Sequence, residues 1–175
     1  MPSMLADSLI DAVVKQMAIN PRGIHGLNHW ARVYANGMRL AQTNGADPDV
    51  VELFALFHDS RRLSDNADPE HGPRGAELAV QLYGNLLIVE EEKLQVLLTA
   101  CRLHTSARTH DNLTVQTCFD ADRLDLARIG TIVDPEYLCT SAAKDPQTLA
   151  WASQQSITRV VPDNPLGWAL ARISH

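Results

Sequence analysis

Residues 47–62, DPDVVELFALFHDSRR, decide the fold of this 175-residue chain. Asp47 and Pro48 form a helix start in which an aspartate N-cap precedes a proline in the first turn. Apolar side chains then surround the helix on nearly every side, so the sequence predicts that it lies at the centre of the fold. His58 and Asp59 follow directly on this apolar run.

Apolar residues on both sides of this segment recur with the 3.6-residue period of amphipathic helices. They predict helices after a Ser3 cap, over 29–42, from an Asp68-Pro69 cap to near Gly84, around 94–101 and over 115–129. Two or three shorter helical pieces are expected from Pro135 onward, and Ile157–Val161 is the only serious strand candidate. The predicted fold class is therefore all-α, a compact helical bundle.

Length and composition narrow the class of protein further. A chain of 175 residues suits a single domain over 1–175, and its 45% apolar and 21% charged residues are typical of globular proteins. The 15 basic and 21 acidic residues give a net charge of −6, which argues against binding to duplex nucleic acid or to anionic membranes. The oligomeric state stays open.

The lack of a recognisable targeting signal and the pattern of cysteines predict a cytoplasmic protein. No apolar run approaches the roughly 18 residues of a membrane span, and Met1-Pro2-Ser3-Met4 does not begin a signal peptide. The three cysteines are odd in number and lack CxxC spacing, so they are interpreted as reduced and mostly buried thiols.

Polar residues interrupt the apolar face of four predicted helices. Residues three or four positions apart share a helix face, and four polar residues continue apolar stripes in this way: His29, His58, His104 and Asp122. Asp120 would point roughly 160° away from Asp122 on a helix, so Asp122 is predicted to be the buried member of this pair.

Together these buried groups favour a metal site. Any one buried histidine is most simply a hydrogen-bonded core residue. Buried carboxylates at Asp59 and Asp122 are costly unless a cation compensates them, and several imidazoles lie on the same predicted faces. Imidazole and carboxylate ligands together suit Fe, Mn, Zn, Co or Ni.

The order of these motifs resembles the HD-domain superfamily of metal-dependent phosphohydrolases. The matching segments are His29-x-x-Arg32-Val33, His58-Asp59, His71 in Glu70-His71-Gly72-Pro73-Arg74-Gly75-Ala76, His104-Thr105, and Asp122 in Asp120-Ala121-Asp122-Arg123-Leu124-Asp125. His71 and His104 match two extra histidines of one subset of the family. The resemblance covers about residues 24–142 and leaves about 143–175 as a C-terminal helical extension.

The resemblance implies a ligand set, a cofactor and a reaction. One ion would be held by His29, His58, Asp59 and Asp122, and Asp59 would bridge to a second ion held by His71 and His104. The cofactors would be one or two divalent transition-metal ions. The implied activity is hydrolysis of a nucleotide or another small phosphorylated molecule by a metal-activated water.

Positively charged residues near these ligands are candidate substrate contacts. Many relatives read HDxxK, and Arg62 stands at the lysine position, where a planar guanidinium suits a phosphate. Arg61 and Arg123 are further candidates for substrate binding, although Arg123 could instead pair with a nearby acidic residue. His25 could donate a proton, contact substrate or be a plain loop histidine. The candidate catalytic residues are Asp59, Arg62 and His25.

Two other functions fit the same residues. Some relatives with the extra histidines use a mixed-valent di-iron centre to activate dioxygen, and their ligands do not differ from those of the hydrolases. A non-catalytic metal- or nucleotide-sensing module is expected to retain fewer ligands. GxSxG, GxxxxGK[ST] and GxGxxG motifs are absent from the sequence.

His110 and His175 have no other candidate ligand near them in the sequence and are expected at the surface.

Overall fold

The structure is a computed structural model that describes residues 3–173. Its nine α-helices in this range are α1 Asp7–Val14, α2 Leu27–Asn44, α3 Pro48–Phe57, α4 His71–Leu82, α5 Glu91–Leu103, α6 Leu113–Arg123, α7 Ser141–Lys144, α8 Pro146–Ile157 and α9 Pro165–Arg172. Short 3-10 helices span Leu126–Ile129 and Pro135–Tyr137. An isolated bridge joins Tyr83 and Leu87, and 3–173 contain no strand. The all-α prediction is confirmed.

Helix α3 lies at the centre of the bundle, as its apolar sequence predicts. The Asp47 side chain accepts a hydrogen bond from the backbone N–H of Asp49 and caps the helix. Every residue from 50 to 57 is buried, and α3 packs against α1, α2, α4, α5 and α6. Glu52, the one charged residue of this run, accepts hydrogen bonds from the Ser3 hydroxyl and the Met4 backbone.

A second, smaller apolar cluster lies beneath the C-terminal helices. Helices α7 and α8 both pack against α2. The buried residues of this cluster are Leu40, Leu124, Leu138, Ala143 and Ala152. The main cluster takes its buried side chains from α1 to α6 and from α9. Helix α9 returns to the start of the chain and packs on α1 and α2, so the last helix closes the bundle.

Helix α2 is the longest helix among the described residues, at 18 residues. Gly45 caps its C-terminus with a φ of 80°, a left-handed conformation that glycine adopts without steric cost.

Within 3–173, no helix is both long enough and apolar enough to span a bilayer.

Two predicted helix starts are wrong because their capping side chains have other partners. Helix α1 begins at Asp7, since the Ser3 hydroxyl donates to Glu52 instead of capping a helix. Helix α4 begins at His71, since the Asp68 carboxylate accepts from the Leu63 backbone and from Arg74. The intervening chain forms a turn that leads into α4.

Two further sequence predictions fail where the chain turns. The helix predicted over 115–129 is divided, because α6 ends at Arg123 and a separate 3-10 helix follows at Leu126–Ile129. The strand candidate Ile157–Val161 does not form a strand. Ile157 is the last residue of α8, and Arg159 adopts a left-handed φ of 53° that no extended strand contains.

Two glycines allow α4 to approach the ends of α3 and α5. A Cβ atom at Gly75 would collide with the backbone carbonyl of Phe57, and one at Gly72 would collide with that of Cys101. Backbone groups in neighbouring helices cannot easily retreat from such a clash. The absence of both side chains therefore sets the position of α4 relative to His58 and His104, which follow these carbonyls.

We predict that Gly75→Ala lowers the free energy of unfolding by about 1–3 kcal/mol because of this clash. Helix propensity alone would give the opposite sign, since alanine is favoured over glycine by about 1 kcal/mol inside a helix. Urea denaturation measures the change. Glu77→Ala, at an exposed position of the same helix, is the control and should shift stability by less than about 0.5 kcal/mol. A Gly75→Ala protein as stable as the wild type would contradict this packing.

Candidate metal centre

The ends of five helices converge on one buried cluster of histidine and aspartate side chains. His29 lies in the first turn of α2, and His58 and Asp59 directly follow α3. His71 begins α4, His104 follows α5, and Asp122 lies near the end of α6. The structure thus brings together all six residues that the resemblance implied as metal ligands.

Four of these residues form a first ligand group around the His29 ring. Its Nε2 atom lies 3.2 Å from His58 Nε2, 3.5 Å from Asp59 Oδ2 and 3.3 Å from Asp122 Oδ1. Ligands bound about 2.1 Å from one ion are about 3.0–3.4 Å apart in octahedral or tetrahedral geometry. The spacing of the group therefore matches that of ligands around a single ion.

The second ligand group shares Asp59 with the first. His71 Nε2 lies 3.1 Å from Asp59 Oδ1 and 2.9 Å from His104 Nε2. The Oδ2 atom of the same carboxylate faces the first group. One carboxylate therefore has an oxygen toward each group, the arrangement in which it can bridge two ions.

All four histidines turn Nε2 inward because their Nδ1 atoms have partners outside the cluster. Nδ1 of His29 lies 2.7 Å from the Asp125 carboxylate. The other three bond to backbone carbonyls: His58 to Phe54, His104 to Cys101 and His71 to Asp68. These partners favour the Nδ1–H tautomer, which leaves a lone pair on each Nε2 atom.

The donor set fits one or two divalent transition-metal ions. With all four rings neutral in this tautomer, lone pairs would face each other between His29 and His58, and between His71 and His104. Facing lone pairs repel, and a cation between them removes the repulsion while also compensating the buried carboxylates. Imidazole nitrogen and carboxylate oxygen are ligands of this class of metal.

The carboxyl groups of Asp59 and Asp122 have lowered pKa values. Burial acts to raise the pKa of Asp59 and of Asp122, but nearby histidines outweigh it and hold both values below the ordinary one. Both side chains are therefore ionised, which is the form that binds metal.

Burial has different outcomes at the histidines. It lowers the pKa of His58 to about 3 and also lowers that of His104, so both rings stay neutral. Burial acts in the same direction on His29, but its hydrogen bonds with three aspartates, among them Asp122 and Asp125, raise its pKa to about 9. Without metal, a proton on His29 compensates the charge of these aspartates, as a metal ion would when bound.

Asp125 contacts the first ligand group, and the sequence analysis did not single it out. Its Oδ2 atom bonds to His29 Nδ1, and its Oδ1 atom accepts a 2.7 Å hydrogen bond from Arg32 Nε. Both members of this ion pair are buried. The signal was present in the sequence, because Arg32 and Asp125 belong to the two segments that carry the family resemblance.

The prediction that Asp122 is more buried than Asp120 is wrong. Asp120 is fully buried and accepts hydrogen bonds from the Cys139 and Thr140 backbones and from the Thr140 hydroxyl. The Asp122 side chain is 21% exposed, although it faces His29. The helical period assumed over 115–129 does not continue past α6, which ends at Arg123.

Arg62 is the one predicted substrate-binding arginine that lies at the ligands. Its Nη1 atom is 3.4 Å from Asp59 Oδ1. The structure engages the other two candidates elsewhere, which corrects their assignment. Arg61 donates to the backbone and side chain of Gln16. Arg123 donates to three backbone carbonyls, those of Ala107, Arg108 and Tyr137.

His25 lies at the edge of the first ligand group. Its ring centre is 6.3 Å from that of His29, and its Nδ1 atom is 2.9 Å from Asp65 Oδ1. Burial lowers its pKa despite this contact with Asp65. The position is close enough to the ligands for a role in proton transfer or substrate contact.

His110 and the three cysteines do not belong to either ligand group. His110 is half-buried, and its Nδ1 atom accepts from the Asn112 backbone. The predicted surface position of His175 lies outside the described residues. Cys101 and Cys118 are buried free thiols, and Cys139 is a partly buried one, as expected for reduced cysteines.

A family profile and a solved structure match this chain. The profile of the HD domain matches residues 26–127, more than half of the chain. The fold also matches the crystal structure of a "predicted HD superfamily hydrolase" from an uncultured Thermotogales bacterium, with a TM-score of 0.65 and 23% sequence identity over 87% of each chain. A search of curated proteins found no significant match.

We predict that Asp125→Asn weakens metal binding about 10–100-fold, because it removes the charge that orients His29 from outside the ligand group. Isothermal titration calorimetry with Mn²⁺ measures the affinity, and circular dichroism checks that the helices remain. Asp65→Asn, which alters a carboxylate beside His25 instead, serves as the control and should bind Mn²⁺ normally. Equal affinity in Asp125→Asn and wild type would remove Asp125 from the metal centre.

Proposed function

The chain belongs to the HD-domain family, and from this premise we propose that it is a metal-dependent phosphohydrolase of a nucleotide or another small phosphorylated molecule. The observation that carries the proposal is the sharing of Asp59 between two ligand groups. A pair of ions on either side of one carboxylate is a common arrangement in enzymes that hydrolyse phosphate esters.

The ligand groups determine where the reaction takes place. His29, His58, Asp59 and Asp122 would hold one ion, and Asp59, His71 and His104 would hold the other. When bound, such ions supply a water nucleophile of lowered pKa and positive charge for the phosphoryl oxygens. The surrounding helices bury five of the six ligands, which strengthens every charge interaction at the site.

Two further side chains contribute to the proposed chemistry. Arg62 places a permanent positive charge beside Asp59, where it can bind a phosphoryl oxygen and stabilise negative charge that develops in the transition state. Asp65 accepts a hydrogen bond from Nδ1 of His25, which leaves the other ring nitrogen free to contact substrate or to accept a proton from a water. Arg62 thus binds the phosphate, and His25 contacts the substrate beside the first ligand group.

The substrate class follows from the chemistry of the site and from the charge of the chain. A net charge of −6 disfavours long polyanions such as duplex nucleic acid and also disfavours anionic membranes. A small phosphorylated molecule needs only the local positive charge of Arg62 and the ions. Because the three cysteines are free thiols, we place the protein in the cytoplasm.

A di-iron oxygenase is the second candidate function. The observation behind it is the second ligand group. His71 and His104 are the extra histidines that also occur in the relatives with a di-iron centre. Iron and other divalent metals use the same imidazole and carboxylate ligands. A sensing module ranks below both enzymes, because all six expected ligands are in place.

The metal and the reaction are tested together on protein purified from its own host. Elemental analysis identifies the bound metal, and phosphate release is screened across nucleotides and other small phosphorylated compounds. Metal-dependent release of phosphate supports the proposal. Bound iron without release of phosphate from any compound contradicts it and favours the oxygenase, which is then assayed by oxygen consumption.

We predict that Asp59→Asn lowers phosphate release at least about 100-fold, because it removes the charge that both ligand groups share. The matched control is Asp120→Asn, a buried aspartate on α6 whose carboxylate faces Cys139 and Thr140 instead of the ligands. This control should retain bound metal and most activity. Full activity in Asp59→Asn would end the metal mechanism, and loss of metal in Asp120→Asn would overturn the assignment of Asp122.

A further inference from the structure

The guanidinium of Arg62 is fixed beside the second ligand group. Nη1 lies 3.4 Å from Asp59 Oδ1, and it is 3.3 and 3.4 Å from the two ring nitrogens of His71. Its other nitrogens donate to the carbonyls of Ser64 and Asn66. Arg62 is only 8% exposed, so its charge cannot leave the site without breaking these bonds.

The two ligand groups differ in their charge. The first group contains one carboxylate of its own, that of Asp122, and shares that of Asp59. The second group has only its share of Asp59, together with the imidazoles of His71 and His104. Arg62 then adds one positive charge that persists at any ordinary pH.

An ion in the second group would lie close to that charge. An ion about 2.1 Å from Asp59 Oδ1 would lie within about 5.5 Å of Arg62 Nη1, because that nitrogen is itself 3.4 Å from the same oxygen. Like charges at this distance repel strongly in a buried site. Arg62 acts less on the first group, which faces the opposite oxygen of Asp59, and the Arg128 charge that reaches His29 lies 3.8 Å from the compensating Asp125 carboxylate.

We propose that Arg62 makes the two ligand groups bind metal unequally, so that the first holds an ion by itself and the second holds one firmly only together with an anionic ligand. The inference rests on the proposed function, since it takes both groups as metal sites. Its structural basis is the contact of the Arg62 guanidinium with Asp59 and His71.

The anionic ligand is a phosphate group or a similar dianionic oxyanion. Its negative charge compensates both the second ion and Arg62, and an N–H of the guanidinium that the loop carbonyls do not occupy can donate a charge-assisted hydrogen bond to one of its oxygens. Binding of the oxyanion therefore strengthens binding of the second ion, and linkage requires the reverse effect by the same factor. The complete two-ion site forms only when a phosphorylated molecule is present.

Titration of the metal-free protein with Mn²⁺ tests this inference without any activity assay. Electron paramagnetic resonance of free Mn²⁺ counts the bound ions. The wild type should bind one ion firmly and a second at least about tenfold more weakly. Inorganic phosphate should tighten the second ion at least about tenfold and leave the first nearly unchanged.

Two variants separate the charge of Arg62 from its anchoring of the loop after α3. Arg62→Gln removes the charge and should tighten the second ion at least about tenfold in the absence of phosphate. Arg62→Lys keeps a charge but loses the planar fork, and it should resemble the wild type. Circular dichroism compares the folding of both variants with that of the wild type.

Several outcomes would contradict this inference and leave the proposed function standing. They are two equally firm ions in the wild type, no effect of phosphate on the second ion, no change in Arg62→Gln, or the same change in Arg62→Gln and Arg62→Lys. The phosphate experiment needs no variant, so it decides the matter even where a substitution disturbs the fold. Failure of the protein to bind any Mn²⁺ is a different result, because it contradicts the proposed function itself.

Discussion

The burial of the Asp59 carboxylate is the constraint on which the rest of the structure depends. Removing a charged group from water costs several kcal/mol unless partners compensate it. Asp59 is only 3% exposed, and its partners are the imidazoles of His29, His58 and His71 and the Arg62 guanidinium. His104, after α5, belongs to the same group. Helices α2 to α5 must therefore end or begin at one point, and the small residues of α4 make that approach possible.

Much of this arrangement could be predicted from the sequence. The apolar surround of α3 indicates its central position, and polar residues within apolar stripes mark His29, His58 and His104. The capping partners of Ser3 and Asp68 could not be predicted, because they lie on other elements of the fold. The burial of Asp120 was missed for a related reason: the end of α6 and the return of Thr140 depend on tertiary contacts, not on helical period.

The positions of the arginine side chains could not be predicted from the motifs. Arg61, Arg62 and Arg123 all lie beside ligands in the sequence, yet only Arg62 lies beside them in space. Adjacent residues at a helix end point in different directions, so Arg61 reaches Gln16 while Arg62 turns toward Asp59. Of these three arginines, Arg62 is the one that places a fixed positive charge beside Asp59, and the resulting uneven charge favours phosphorylated ligands.

Anomalous X-ray diffraction from crystals grown with Mn²⁺ and inorganic phosphate tests the central claim most directly. The account predicts two peaks on opposite sides of the Asp59 carboxylate, about 3.5–4 Å apart, as in other two-metal sites. One peak should contact His29 and His58, and the other should contact His71 and His104. Peaks elsewhere in the protein, or no peak bound to Asp59, would contradict it.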